Sequence, residues 1–82
     1  MKIEILGAGC PKCHSTEANV RKALAELNKT AEVVEVTDIM AIIDKGVIQT
    51  PGLIINGKII MQGKIPTVEQ IKQFIQKEEG NG

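Results

Sequence analysis

The sequence predicts an α/β domain, four strands in one mixed sheet with helices on both faces. Three observations carry that reading. A short β-type run, Lys2 to Leu6, gives way through Gly7 and Gly9 to a helical pattern that starts at Pro11. Asn56-Gly57 stands between two apolar runs, and this dipeptide tolerates the two positive φ angles of a type I′ hairpin turn. Thr67 is followed three places on by Gln70, a capping box that opens a helix with Val68, Ile71, Phe74 and Ile75 as its buried stripe.

The elements follow in order. Residues 2–6 form strand β1, and residues 11–27 form helix α1 with Val20, Leu24 and Leu27 on one face. The Val-rich residues 31–36 form β2, closed by Thr37-Asp38, which caps a short α2 over residues 39–45 with Gly46 as its stop. Thr50-Pro51 precedes β3 at residues 52–55, where a proline opens a strand without breaking a ladder. After the Asn56-Gly57 turn, β4 takes residues 58–61 as the antiparallel neighbour of β3, and α3 begins beyond Thr67. The order is β1-α1-β2-α2-β3-β4-α3, with β1-α1-β2 expected as a right-handed parallel crossover. With 82 residues the chain supports one core, read as a domain over residues 1–78 with a frayed tail at 79–82.

Composition narrows the function. Apolar residues make up 43% of the chain but the aromatic total is Phe74 alone, so aliphatic packing dominates and no aromatic platform exists for stacking bases or sugars. Ten basic residues balance ten acidic ones, with the lysines scattered, which argues against nucleic acid and anionic membrane as partners. The opening MKIEIL is broken by Glu4 before an apolar run of signal-peptide length forms, and the longest apolar run, Ile39 to Ile43, is five residues. A soluble, cytoplasmic monomer is expected. In a reducing compartment two cysteines this close in sequence point to catalysis or metal binding rather than to a structural staple. Met40 and Met61 are read as core filler.

Both cysteines and the only histidine lie in GAGCPKCHS, residues 7–15, and C-x-x-C opens three chemistries: dithiol exchange, metal ligation and haem attachment. With Cys10 near the N-cap, Pro11 takes the first helical position, where its missing N–H is no loss. At about 100° per residue Cys13 falls within about 20° of Val20, on the core side, and Cys10 about 80° away at the helix end. Residues one turn apart also fall within the Cα separation of about 4.4–6.8 Å that a disulfide tolerates. The unpaired N–H groups of the helix N-terminus, worth about 0.3–1 kcal/mol to an exposed anion, and the nearby Lys12 ammonium both favour a Cys10 thiolate. Cys10 is therefore the candidate attacking thiol and Cys13 the resolving one.

The rival chemistries have less support. Cys10-Pro11-Lys12-Cys13-His14 matches C-x-x-C-H, with Met40 or Met61 as axial ligands, but no export signal accompanies it. His14 points about 100° from Cys13 around the helix and is read as an exposed residue; no second His or further Cys completes a closed zinc site. A soft ion such as Cu(I) on the two thiolates is the alternative that remains.

Strand, C-P-K-C at a helix start, T-P ahead of a strand, and the T-P-G-L-I-I-N-G-K hairpin together resemble the thioredoxin superfamily, and more narrowly its small prokaryotic, glutaredoxin-sized redox-active disulfide proteins. The resemblance covers residues 1–78. It implies a thioredoxin-like fold and a thiol–disulfide oxidoreductase with Cys10 and Cys13 as the catalytic pair and no cofactor beyond that redox-active disulfide. It implies protein dithiol or disulfide substrates and a recycling reductase. Pro11, Lys12, Thr50 and Pro51 would support the site, with Thr50-Pro51 a cis bond facing the disulfide. The Thr50 backbone would bind an extended chain, with Gly9 and Gly63 as further substrate-binding positions. The chain departs from W-C-G-P-C in having no Trp, and from C-P-Y-C in having Lys12, and Gly63-Lys64-Ile65-Pro66-Thr67 shows no glutathione-holding pattern. No counterpart of the buried aspartate that assists proton transfer in thioredoxins is evident, which leaves Cys13 without an assigned proton acceptor.

Overall fold

The central strands set the architecture, because they are the ones whose apolar residues run on without alternation. β1 (Lys2–Leu6) and β3 (Gly52–Ile55) are buried almost throughout, as strands covered on both faces must be. The computed structural model describes residues 1–8 and 11–80. In it β1 pairs in parallel with β2 (Glu32–Val36), Lys2 opposite Glu32 through Leu6 opposite Val36. On its other side β1 pairs antiparallel with β3, Ile3 opposite Ile55 through Leu6 opposite Gly52. β4 (Lys58–Gln62) closes the edge beside β3, with an irregularity between Leu53 and Ile54, and the strand order is β2-β1-β3-β4. The β3–β4 hairpin turns on Asn56 (φ 51°) and Gly57 (φ 82°), the pair of positive angles expected for Asn-Gly.

Alternation along β1 divides the core. Ile3 and Ile5 point to one face, where α1 (Pro11–Glu26) brings Val20, Ala23 and Leu24 and α3 (Val68–Gly80) brings Ile71 and Ile75. Leu6 points to the other, against Ile54, Val47 and Ile42 of α2 (Ile39–Asp44). Glu4 shares that second face and is buried, its carboxylate paired with Lys45 at 3.0 Å and Lys2 at 3.7 Å. Each fully buried Ile contributes about 1.5–3 kcal/mol of transfer free energy, so the α1/α3 side holds most of the driving force.

The local signals act where the sequence places them. Thr67 and Gln70 cap each other, Gln70 N donating to Thr67 Oγ1 at 3.1 Å and Thr67 N to Gln70 Oε1 at 3.0 Å. Asp38 caps α2 by accepting from Ala41 N at 3.2 Å, and Gly46 (φ 88°) ends the turn beyond it.

Two expectations need correction. Met40 is not core filler: it is 64% exposed, because in a helix of six residues Ile42 takes the inward position and Met40 lies on the far side. Met61 is half-buried. At the C-terminus α3 continues through Glu79, which pairs with Lys29, to Gly80, past the point where a frayed tail was expected. Among the described residues no helix is long and apolar enough to cross a membrane.

Candidate active site

The first turn of α1 and the end of β1 build the site together. Pro11 opens the helix and is exposed, as is Lys12, while Cys13 turns inward and is 6% exposed, as its helical angle predicts. Thr16, fully buried one turn on, donates its hydroxyl to Lys12 O at 2.8 Å, which satisfies that buried polar group. Cys10 and Gly9 lie outside the described residues.

Gly7 makes the position of Cys13 possible. A Cβ on Gly7 would fall far inside van der Waals contact with Cys13 Sγ, and Thr50 Cβ lies 3.7 Å from the same point. The bare backbone at the end of β1 is thus flanked by the buried sulfur and by Thr50, and only glycine leaves room for the sulfur. Gly7 N donates to Val36 O at 2.9 Å, which ties that backbone to β2.

Thr50 is exposed, Pro51 is fully buried, and the bond between them is cis. The loop that carries them is braced by the end of β4. Gln62 Oε1 accepts from Ile48 N at 2.9 Å and from Gln49 N at 3.3 Å, and Gly63 N donates to Pro51 O at 3.0 Å. Gly63 therefore sits beneath Pro51 as a support of this loop. Of the residues singled out in the sequence, Cys13, Thr50, Pro51 and Gly63 are brought to one end of the sheet.

Two concavities lie there. One is apolar, lined by Ala8, Ile39, Ile43, Ile48 and Thr50 over the buried Ile42 and Val47. Its walls are strongly exposed, Ile48 at 85%, Ile39 at 62% and Ile43 at 57%. The other is a narrow crevice lined by Ile5, Gly7, Cys13, His14, Glu35 and Thr37. At its mouth His14, Glu17 and Glu35 converge, with their nitrogen and carboxylate oxygen atoms within 4.8 Å of one another. His14 is exposed, in line with its angle on the helix. Arg21 binds Glu17 from the next turn at 2.8 Å.

The carboxylates of Glu17 and Glu35 approach within 4.8 Å, near enough for the protonated form of one to hydrogen-bond the other. Glu35 is raised above the usual carboxylate range, first by that bond and then by the Glu17 charge. Glu17 is lowered because it accepts that bond and those from Arg21. Sequence reasoning gave Gly7 and Thr37 only structural roles and passed over Glu17, Glu35 and Ile48. His14 and Glu17 at one-turn spacing were a visible signal, but Glu35 joins them only through the parallel register that sets Ile5 opposite Glu35.

Residues 1–76 match a family model described as a thioredoxin domain. Over 37 residues the chain is 57% identical to a thioredoxin of Methanocaldococcus jannaschii, an alignment that covers 45% of this chain and 43% of that protein. The aligned segment is therefore less than half the length of that curated relative. The strand–helix order, the mixed four-stranded sheet and the buried cis-proline ahead of β3 agree with a thioredoxin-like fold. On the match across nearly its whole length, this chain belongs to the thioredoxin domain family.

Proposed function

We propose that the chain is a protein thiol–disulfide oxidoreductase that exchanges a Cys10–Cys13 dithiol for a disulfide in a polypeptide substrate. Membership of the thioredoxin family supports thiol–disulfide chemistry in general and does not favour a soft-metal carrier on the same cysteines. The observation that carries the specific reading is the seat of Cys13: a sulfur buried in the first turn of a helix, against Gly7 and near Thr50.

In this mechanism the Cys10 thiolate attacks a substrate disulfide, one substrate sulfur leaves as thiolate, and the other stays joined to Cys10. The Cys13 thiol then loses its proton and attacks Cys10. A Cys10–Cys13 bond forms, the bond to substrate breaks, and the substrate leaves reduced by two electrons. The N-terminal N–H groups of α1 favour the Cys10 thiolate by about 0.3–1 kcal/mol, and Lys12 adds a screened attraction.

The apolar groove of Ile39, Ile43 and Ile48 beside Thr50 suits an extended or unfolded polypeptide better than a small polar thiol. Thr50 would contribute backbone hydrogen bonds to that chain, with Gly9 as a further binding position and Gly63 holding the loop. No cofactor beyond the disulfide is invoked, and the protein would work as a cytoplasmic monomer recycled by a reductase. Insulin reduction tests the reading: Cys10→Ser is expected to abolish it, and a variant as fast as wild type would reject the proposal.

A further inference from the structure

Among the described residues one group of metal-ligating side chains converges: His14, Glu17 and Glu35, whose donor atoms all lie within 4.8 Å of one another. Two elements bring them together. His14 and Glu17 stand one turn apart on the same side of α1. Glu35 comes from β2, where the parallel register sets it beside Ile5 and so on the face that α1 covers. The group is more than a patch of acid, because an imidazole nitrogen completes a mixed donor set whose two carboxylates match the charge of a divalent cation. A second feature supplies the remaining ligand position. The crevice lined by His14, Glu35 and Thr37 has room for about one water molecule, and a three-ligand zinc site keeps such a water in its fourth place. We infer that His14, Glu17 and Glu35 bind one zinc(II) ion at the mouth of this crevice, tying the N-terminal half of α1 to β2.

The donor chemistry selects the ion. One imidazole and two carboxylates suit a borderline cation such as zinc, whereas magnesium and calcium prefer oxygen ligands and a higher coordination number, and copper(I) prefers thiolates. Tetrahedral ligands about 2.0–2.2 Å from zinc stand about 3.3–3.6 Å from one another. Donors within 4.8 Å reach that spacing by small side-chain rotations, and His14 and Glu35 are exposed enough to make them. Arg21 holds Glu17 through a single oxygen, Oε2, with Nη2 at 2.8 Å and Nε at 2.9 Å. Glu17 thus has Oε1 to offer the ion, while Arg21 orients its carboxylate from the outer side and moderates the affinity by its own charge. Neither cysteine takes part. The site therefore stands apart from the exchange chemistry and can be loaded while Cys10 and Cys13 are joined.

The test is calorimetric titration of zinc chloride into the metal-free, oxidised protein, with thermal unfolding as the second readout. One ion should bind per chain. Zinc in about tenfold excess over the protein should raise Tm by about 4 °C or more, and magnesium at the same concentration should not. His14→Gln and Glu35→Gln should each weaken binding about tenfold or more and remove the rise in Tm. Glu32→Gln, which takes an exposed carboxylate from the same strand outside the group, should change neither. Absence of binding, or affinity unchanged in His14→Gln and Glu35→Gln, overturns the inference, and so does equal weakening by Glu32→Gln, the mark of unspecific attraction to an acidic surface. Binding confined to the reduced protein would also overturn it, by moving the ion to the cysteines. Insulin reduction by Cys10→Ser is independent of all these outcomes, so failure of the zinc site and failure of the oxidoreductase reading are told apart.

Discussion

The two faces of the sheet spend their apolar residues differently. On the α1/α3 face Ile3, Ile5, Val20, Ala23, Leu53, Ile55, Ile71 and Ile75 are almost wholly removed from water. On the α2 face a six-residue helix covers only Leu6, Ile42, Val47 and Ile54, and Ile39, Met40, Ile43 and Ile48 stay exposed. A side chain that is as exposed in the native state as in the unfolded chain gains nothing from folding. The first face therefore supplies stability, and it anchors the helix whose first turn carries Cys13. The second leaves an apolar surface beside Thr50, the one proposed above to receive a substrate chain. The buried Cys13 and the apolar groove lie at one end of the sheet, one on each of two unequally covered faces.

Substitutions can break or sharpen this contrast. The largest effect is expected in the closed core: Ile75→Ala, at a fully buried site, should lose about 2–5 kcal/mol in urea denaturation, a large share of the stability of so small a domain. A comparable loss from truncating Ile48 would erase the distinction between the faces. Next comes the junction, where Gly7→Ala drives a methyl group into Cys13 Sγ. It should cost about 1–3 kcal/mol by overpacking and, by displacing the sulfur, slow insulin reduction about tenfold to a hundredfold.

On the open face, Ile48→Ser should change stability by no more than about 0.5 kcal/mol. It should raise KM for a protein disulfide about threefold to tenfold, the equivalent of losing part of one buried side chain, and leave reduction of a small soluble disulfide unchanged. Equal effects on both substrates would remove the groove from recognition.

The smallest effect concerns Glu35. Its folded carboxyl is raised above the ordinary value of 4.5, so the fold holds this proton more tightly than the unfolded chain does. That contribution is complete below the ordinary value and is lost as pH rises through the folded one, with Glu17 acting in the opposite sense. Glu35→Gln should therefore raise Tm slightly at neutral pH, and the gain should vanish in acid. A lower Tm at neutral pH would contradict the carboxylate pairing.

Much of this was readable in the sequence because the signals are local. Asn56-Gly57, Thr67 with Gln70, and Asp38 each specify a backbone conformation within four residues, and each is found where expected. Cys13 was placed inward by helical angle alone, since Val20 fixes which face of α1 is buried. What escaped depends on contacts between elements. Met40 looked like core because its apolar run says nothing of how little a six-residue helix can cover. The fit of Gly7 around the Cys13 sulfur, the burial of Glu4 and the approach of Glu35 to Glu17 all follow from strand register and helix docking, which composition and spacing do not encode.

Mass spectrometry of a trapped substrate complex tests the central claim most directly. Cys13→Ser, incubated reduced with an oxidised protein substrate, should accumulate a covalent adduct through Cys10 that dithiothreitol releases, while wild type turns over without one. Failure of Cys13→Ser to form that adduct while its fold is intact, or an adduct formed equally by Cys10→Ser, would contradict the division of labour between the two sulfurs.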